Sequence, residues 1–262
     1  MNRPTILFFD SGMGGLSVYS EVRALLPYCH YLYCFDNAFF PYSEKSEAMI
    51  IERTVKICQT INASYPIDLI VIACNTASTV VLPALRQTFN LPIVGTVPAI
   101  KPAAEISQTK RIGLLATKGT VKRQYIADLI NNYAAHCQVE KLGSTVLVEQ
   151  AEQKLNGFSL DLVTLANELD VWKNIADLDT VVLGCTHFPL IKQEIQQYLP
   201  QVKYFIDSGK AIATRVESLV KDKINHSVGE NCVYYTKPLN DKLTLWHTLQ
   251  QMGFTQLHHL SV

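Results

Sequence analysis

Two short stretches carry the residues best suited to chemistry, Ala73-Cys74-Asn75-Thr76 and Gly184-Cys185-Thr186-His187. Each sets a thiol among hydrogen-bonding neighbours. Each thiol also has a candidate proton partner: Asp10 at a neighbouring strand end for Cys74, and His187 two residues on for Cys185. A free thiol ionises at about pH 8.5, and a nearby base or cation changes how readily it gives up its proton. On the residues alone, several thiol chemistries are open. A cysteine hydrolase uses one Cys with a His and leaves the second thiol idle. A disulfide oxidoreductase needs thiols that can touch. Two thiols on opposite sides of one carbon can take a proton from one face and return one to the other, which inverts a stereocentre. The remaining cysteines, Cys29, Cys34, Cys58, Cys137 and Cys232, read as small hydrophobes.

Each thiol turn follows a short apolar run, Asp68-Leu69-Ile70-Val71-Ile72 and Asp179-Thr180-Val181-Val182-Leu183. Such runs read as buried strands of a parallel sheet, and ligands bind at the carboxyl ends of those strands. The stretches Asp10 to Cys74 and Thr117 to Cys185 are similar in length. Both read strand, polar turn, helix, strand, helix, then strand and thiol turn, which points to duplication. The expected fold is α/β: two similar domains with mainly parallel sheets, related by a pseudo-twofold axis, with the site in the cleft between them. Residues 1–96 plus 209–262 are expected to form the first domain and 97–208 the second.

Other stretches could line that cleft. Asp10-Ser11-Gly12-Met13-Gly14-Gly15-Leu16-Ser17 follows a strand and opens a helix. Its glycines free main-chain N–H groups to point outward, so it reads as an anion-binding turn suited to a small carboxylate. The bland alternative is that the glycines only close a strand–helix turn. The spacing is not the dinucleotide fingerprint, and a P-loop lysine is missing. Asp36-Asn37-Ala38-Phe39-Phe40-Pro41-Tyr42-Ser43 mixes polar and aromatic residues as a binding loop does. Glu149-Gln150-Ala151-Glu152 reads as helical, and the proline-punctuated 97–102 as a crossing between domains.

With 262 residues, 48% hydrophobic and zero net charge, the chain should be soluble and globular, with no electrostatic reason to bind nucleic acid or an anionic membrane. Signal-peptide and membrane-span patterns are not found. Seven cysteines without a Cys-x-x-Cys pair argue against disulfides and a tetrahedral zinc site, so a cytoplasmic protein with reduced thiols is expected.

The chain is identified as resembling the glutamate racemases, of the cofactor-independent aspartate/glutamate racemase family. The stretches that carry the resemblance are Phe9 to Val18, Pro41 to Ser46, Ala73 to Ser78 and Gly184 to Leu190, with Leu115 to Thr120 and Asp207-Ser208-Gly209 also agreeing. The resemblance implies interconversion of L- and D-glutamate by a two-cysteine, two-base mechanism, supplying D-glutamate for peptidoglycan. It implies that Cys74 works on the α-proton of the D-enantiomer and Cys185 on that of the L-enantiomer. It further implies catalytic support from Asp10 and His187, substrate contacts from Asp10, Ser11, Tyr42, Ser43, Asn75, Thr76, Thr186 and His187, and a supporting Glu152. Ser43 stands where the family usually has glycine, a cost of order 1 kcal/mol if a positive φ is needed there. The stretch Val94 to Pro102 resembles the branch activated by a UDP-linked peptidoglycan precursor.

The residues themselves are compatible with that chemistry. No Schiff-base lysine stands out and both thiol turns lack lysine, so no cofactor and no metal are expected. The barrier to removing an α-proton would then fall through positioning, exclusion of water and hydrogen bonds to the substrate carboxylate. The partner is a small molecule, glutamate, and the assembly a monomer or homodimer. The rivals are a racemase for aspartate or another small acid, and a non-catalytic dicarboxylate-binding protein.

Overall fold

The computed structural model describes residues 3–221, 230–239 and 242–262. The first half opens with β1 (Thr5–Asp10), α1 (Leu16–Leu25) and β2 (His30–Phe35). A short 3-10 turn (Tyr42–Glu44) leads to α2 (Glu47–Ser64), β3 (Leu69–Ile72), α3 (Asn75–Thr88) and β4 (Ile93–Gly95). After α4 (Ile100–Ile106) the pattern recurs with β5 (Arg111–Ala116), α5 (Lys118–Val121), α6 (Gln124–Tyr133) and β6 (Gln138–Gly143). Next come α7 (Val146–Leu155), α8 (Leu162–Lys173), β7 (Thr180–Leu183), α9 (Lys192–Tyr198) and β8 (Tyr204–Ile206). The chain ends with α10 (Gly209–Val220), β9 (Cys232–Tyr235), α11 (Lys242–Gln251) and β10 (Gln256–His259).

These strands form two parallel sheets, in the orders β10-β9-β2-β1-β3-β4 and β6-β5-β7-β8. The order β2-β1-β3-β4 recurs as β6-β5-β7-β8, so the duplication read from the sequence is a duplication of topology. Register refines the match. Phe9 pairs with Ile72 across β1 and β3, and Leu115 with Leu183 across β5 and β7. The N–H of Ala73 donates to the Phe9 carbonyl, as that of Gly184 does to the Leu115 carbonyl. Asp10 therefore corresponds to Ala116, and Thr117 to Ser11, one position from the pairing that the sequence suggested. The thiols, each two residues past its strand, are equivalent.

The apolar runs form strands because both of their faces are covered. β1 and β3 send alternate side chains into a cluster beneath α1, α10 and α11 and into another beneath α2 and α3. β5 and β7 divide their side chains between two further clusters in the same way. Aspartates anchor the feet of both thiol strands. Asp68 accepts the Thr5 N–H (2.9 Å) and Asp179 those of Gln108 and Thr109 (2.7 and 3.1 Å), which fixes β3 beside β1 and β7 beside β5.

The C-terminal stretch extends the first sheet by two parallel strands. The proline-punctuated crossing 97–102 turns into α4 at Ile100. It lies beside the other crossing, where Ser208 Oγ donates to the Val97 carbonyl at 2.5 Å. Among the described residues no helix is long and apolar enough to cross a membrane.

Candidate active site

Both thiols stand at the carboxyl ends of their sheets and face the same cavity. That cavity holds about 280 Å³ of atom-free space, part of it open to solvent. It is lined from the first sheet's side by Asp10, Ser11, Cys74, Asn75 and Thr76, and by the Phe40–Ser43 loop. Thr117, Val148, Cys185, Thr186 and His187 line it from the second. Every residue expected to touch substrate is in this lining. Glu152 stands one layer back, behind His187.

Cys74 caps α3. The helix begins at Asn75, two residues earlier than the apolar pattern suggests, because Sγ accepts the Ala77 N–H at 3.4 Å and serves as the N-cap. Burial pushes the Cys74 thiol well up, and the Asp10 carboxylate adds to this. Ser11 Oγ lies 3.8 Å from Sγ. Asp10 is fully buried at the end of β1, where it accepts the N–H groups of Ser11 and Gly15, both at 2.7 Å. Burial raises its carboxyl to about 6, against the lowering effects of His187, the Gly15 amide and the Cys74 thiol. A carboxyl poised there can exchange a proton with a thiol near neutral pH.

Cys185 has a different neighbour. Its Sγ lies 3.7 Å from His187 Nδ1, and His187 Nε2 lies 2.7 Å from Glu152 Oε2. Burial disfavours the imidazolium, yet hydrogen bonds to Cys185 and Glu152 outweigh it and hold His187 well above the ordinary histidine value. The two equivalent thiols thus have different partners. Cys74 sits by a buried carboxylate that helps keep it protonated, and Cys185 sits against an imidazole held by Glu152.

The glycine-rich turn departs from the expectation. Its amides hold carboxylates, but these are the protein's own: Asp10 takes Ser11 and Gly15, and Glu152 takes Met13 N–H at 3.1 and 2.8 Å. Tyr42 lines the cavity, but its hydroxyl donates to Asp36 Oδ2 at 2.7 Å. Ser43 carries no backbone strain, since among the described residues Lys110 is the one non-glycine with positive φ. Ser43 Oγ and Asn75 Nδ2 are buried in the lining without a protein partner, as expected of groups that meet a ligand.

The sequence names Asp36 only as the start of the aromatic loop, and its partners go unsignalled. Asp36 is fully buried and pairs with Arg53 at 2.7 Å, and it accepts the Thr236 hydroxyl at 2.6 Å. The network pins the aromatic loop to β9. Nothing local signals it, because Thr236 lies 200 residues from Asp36. Thr120 was likewise noted only within a motif. It bonds Thr117 (2.9 Å) and lies 3.4 Å from Thr76 across the cleft.

Residues 14–216 match the Asp/Glu/hydantoin racemase family. The chain belongs to that family. It is an amino-acid racemase, 65% identical to the glutamate racemase of Pasteurella multocida over 99% of this chain and 97% of that protein. It is 58% identical to the glutamate racemase of Haemophilus influenzae strain Rd, again over 99% and 97%. The crystal structure of Escherichia coli glutamate racemase, in complex with L-glutamate and the activator UDP-MurNAc-Ala, is similar with a TM-score of 0.95 and 50% identity. That match covers 100% of this chain and 99% of the other. The Francisella tularensis glutamate racemase in complex with D-glutamate gives 0.79 at 26% identity, over 99% and 98%.

Proposed function

We propose that this racemase interconverts L- and D-glutamate without a cofactor, using Cys185 and Cys74 as opposed acid/base groups. One observation carries the reading: two thiols at equivalent strand ends of two topologically matching sheets line one cavity. From L-glutamate, the Cys185 thiolate takes the α-proton and becomes a thiol. The carbon–hydrogen electron pair passes into an enolate-like carboxylate. The Cys74 thiol then gives its proton to the opposite face, leaving D-glutamate and a Cys74 thiolate. Asp10 and His187 reset the two thiols. The reverse reaction runs the same steps backward.

The donors around the cavity suit the charge that develops. Ser11, Ser43, Asn75, Thr76 and Thr186 offer hydroxyl or amide hydrogens, and Asn75 Nδ2 and Ser43 Oγ are uncommitted. Fixed donors in a water-poor cavity stabilise an enolate more than water does. The small volume favours a short acid over a larger substrate. We assign residues 1–96 with 209–262 to one unit and 97–208 to the other, with a role in supplying D-glutamate for peptidoglycan in the cytoplasm. Activation by a UDP-linked precursor is supported by the E. coli protein's complex and by the sequence resemblance over Val94 to Pro102.

Proton NMR in heavy water tests the activity. The α-proton signal of either enantiomer should disappear as optical rotation decays. Binding without exchange would make the protein a dicarboxylate binder, and faster turnover of L-aspartate than L-glutamate would reassign the substrate.

A further inference from the structure

The glycine-rich turn reaches across the cleft. The Met13 N–H holds both carboxylate oxygens of Glu152, and Glu152 holds His187 Nε2. A Cβ built on Gly14 would land within the His187 imidazole, and one on Gly12 would stand 2.9 Å from Glu152 Oε2. Just beyond, Ser17 Oγ donates to the Thr186 carbonyl at 2.8 Å, the peptide immediately before His187. Met13, Gly14 and Ser17 follow β1 of the first sheet, whereas Glu152, Thr186 and His187 belong with β5–β8 of the second. The contacts made by Gly12, Met13, Gly14 and Ser17 therefore span the cleft, and they converge on the Glu152–His187 pair.

We propose that Gly14, with the Met13 amide and the Ser17 hydroxyl, positions the His187–Glu152 pair from the opposite unit and so sets the half-reaction served by Cys185. The glycine is needed for space rather than for φ, because the imidazole rests where a side chain would begin. The Phe40 ring, 5.8 Å from that of His187, bounds it further. Glu152 cannot swing away while the Met13 amide holds both of its oxygens. His187 Nδ1 is then left aimed at Cys185 Sγ. The corresponding turn of the second unit, Thr117 to Thr120, makes no such contact with a histidine, because Thr76 stands where His187 has its counterpart. The device belongs to one thiol alone.

The proposal rests on the assignment of Cys185 to L-glutamate, and the test separates the two. Gly14→Ala and Ser17→Ala are made alone and in a His187→Asn background. Solvent exchange of the α-proton is followed from each enantiomer, and the His187 imidazole is titrated by NMR. Gly14→Ala should slow exchange from L-glutamate about tenfold or more and exchange from D-glutamate much less. It should also shift the His187 titration toward the ordinary histidine value. In the His187→Asn background it should add little, because both changes act on one group. Ser17→Ala should show a smaller loss of the same sign, and it decides the matter if Gly14→Ala does not fold. Equal losses from both enantiomers with an unmoved His187 titration would overturn the proposal, as would full additivity or unchanged exchange from L-glutamate in Ser17→Ala. If His187→Asn itself slows both enantiomers equally, the assignment of Cys185 fails, while the His187 titration in Gly14→Ala still reports on positioning.

Discussion

Replacing Asp10 by Asn should make the protein's stability less sensitive to pH, by an amount that the structure sets. Asp10 has no exposed surface, and burial raises its carboxyl from an ordinary 3.8 to about 6. Below the unfolded value the carboxyl is protonated in both states and the native state carries no penalty. Between the two values the unfolded chain ionises while the native one does not, so the native state loses ground as pH rises. At about 1.4 kcal/mol per pH unit, the whole loss is about 3 kcal/mol, most of it between about pH 4 and pH 7. Asn cannot ionise, so this loss vanishes in the variant. The substitution has a cost of its own. Asp10 accepts one N–H on each oxygen, from Ser11 and from Gly15, and the Asn amide nitrogen would oppose one of them. That conflict costs about 1–3 kcal/mol but does not vary with pH. Urea unfolding of both chains across this range isolates the pH-dependent part. The stability of Asp10→Asn relative to the native chain should improve by about 2–3 kcal/mol from pH 4 to pH 7. Parallel curves within about 0.5 kcal/mol would mean that Asp10 ionises as freely in the fold as in water. A buried acid that destabilises the fold at working pH is expected where proton transfer, rather than stability, keeps it.

Either single serine variant of the two thiols should lose most racemisation, because inversion needs both faces served. With the chloro-analogue of glutamate, loss of the α-proton can expel chloride without a second transfer. Cys74→Ser should then still eliminate from the L-analogue, and Cys185→Ser from the D-analogue. Product analysis that found either variant treating both enantiomers alike would end the opposed-thiol reading. Thr236→Val removes the donor to Asp36 Oδ1 (2.6 Å) and the acceptor for Ala38 N–H (3.1 Å), loosening the loop that carries Tyr42 and Ser43. KM for glutamate should rise up to about tenfold with a smaller change in kcat, and Thr236→Ser should restore it. A fall in kcat alone would place the loop outside substrate binding.

What could be read in the sequence was whatever is written locally. Asp68 to Ile72 and Asp179 to Leu183 hold apolar runs that read as buried strands, and a thiol two residues past such a strand lies at the sheet's binding edge. The recurrence of that pattern gave the two matching units, and the motifs around Asp10, Cys74 and Cys185 gave the family. The tertiary structure decided where the polar groups turn. The amides of the Gly12–Gly15 turn looked ready for a substrate anion, but packing brings Asp10 and Glu152 to them first. Tyr42 was expected to meet substrate, but its hydroxyl goes to Asp36, fixed in turn by Arg53 and by Thr236 just past β9. The pairing of His187 with Glu152 joins residues 35 positions apart on different elements, and no period or spacing announces it. Backbone class follows from the alternation and size of neighbouring side chains, which each segment carries with it. Hydrogen-bond partners and proton affinities follow from which segments meet, and that is fixed only when both sheets and their helices have packed.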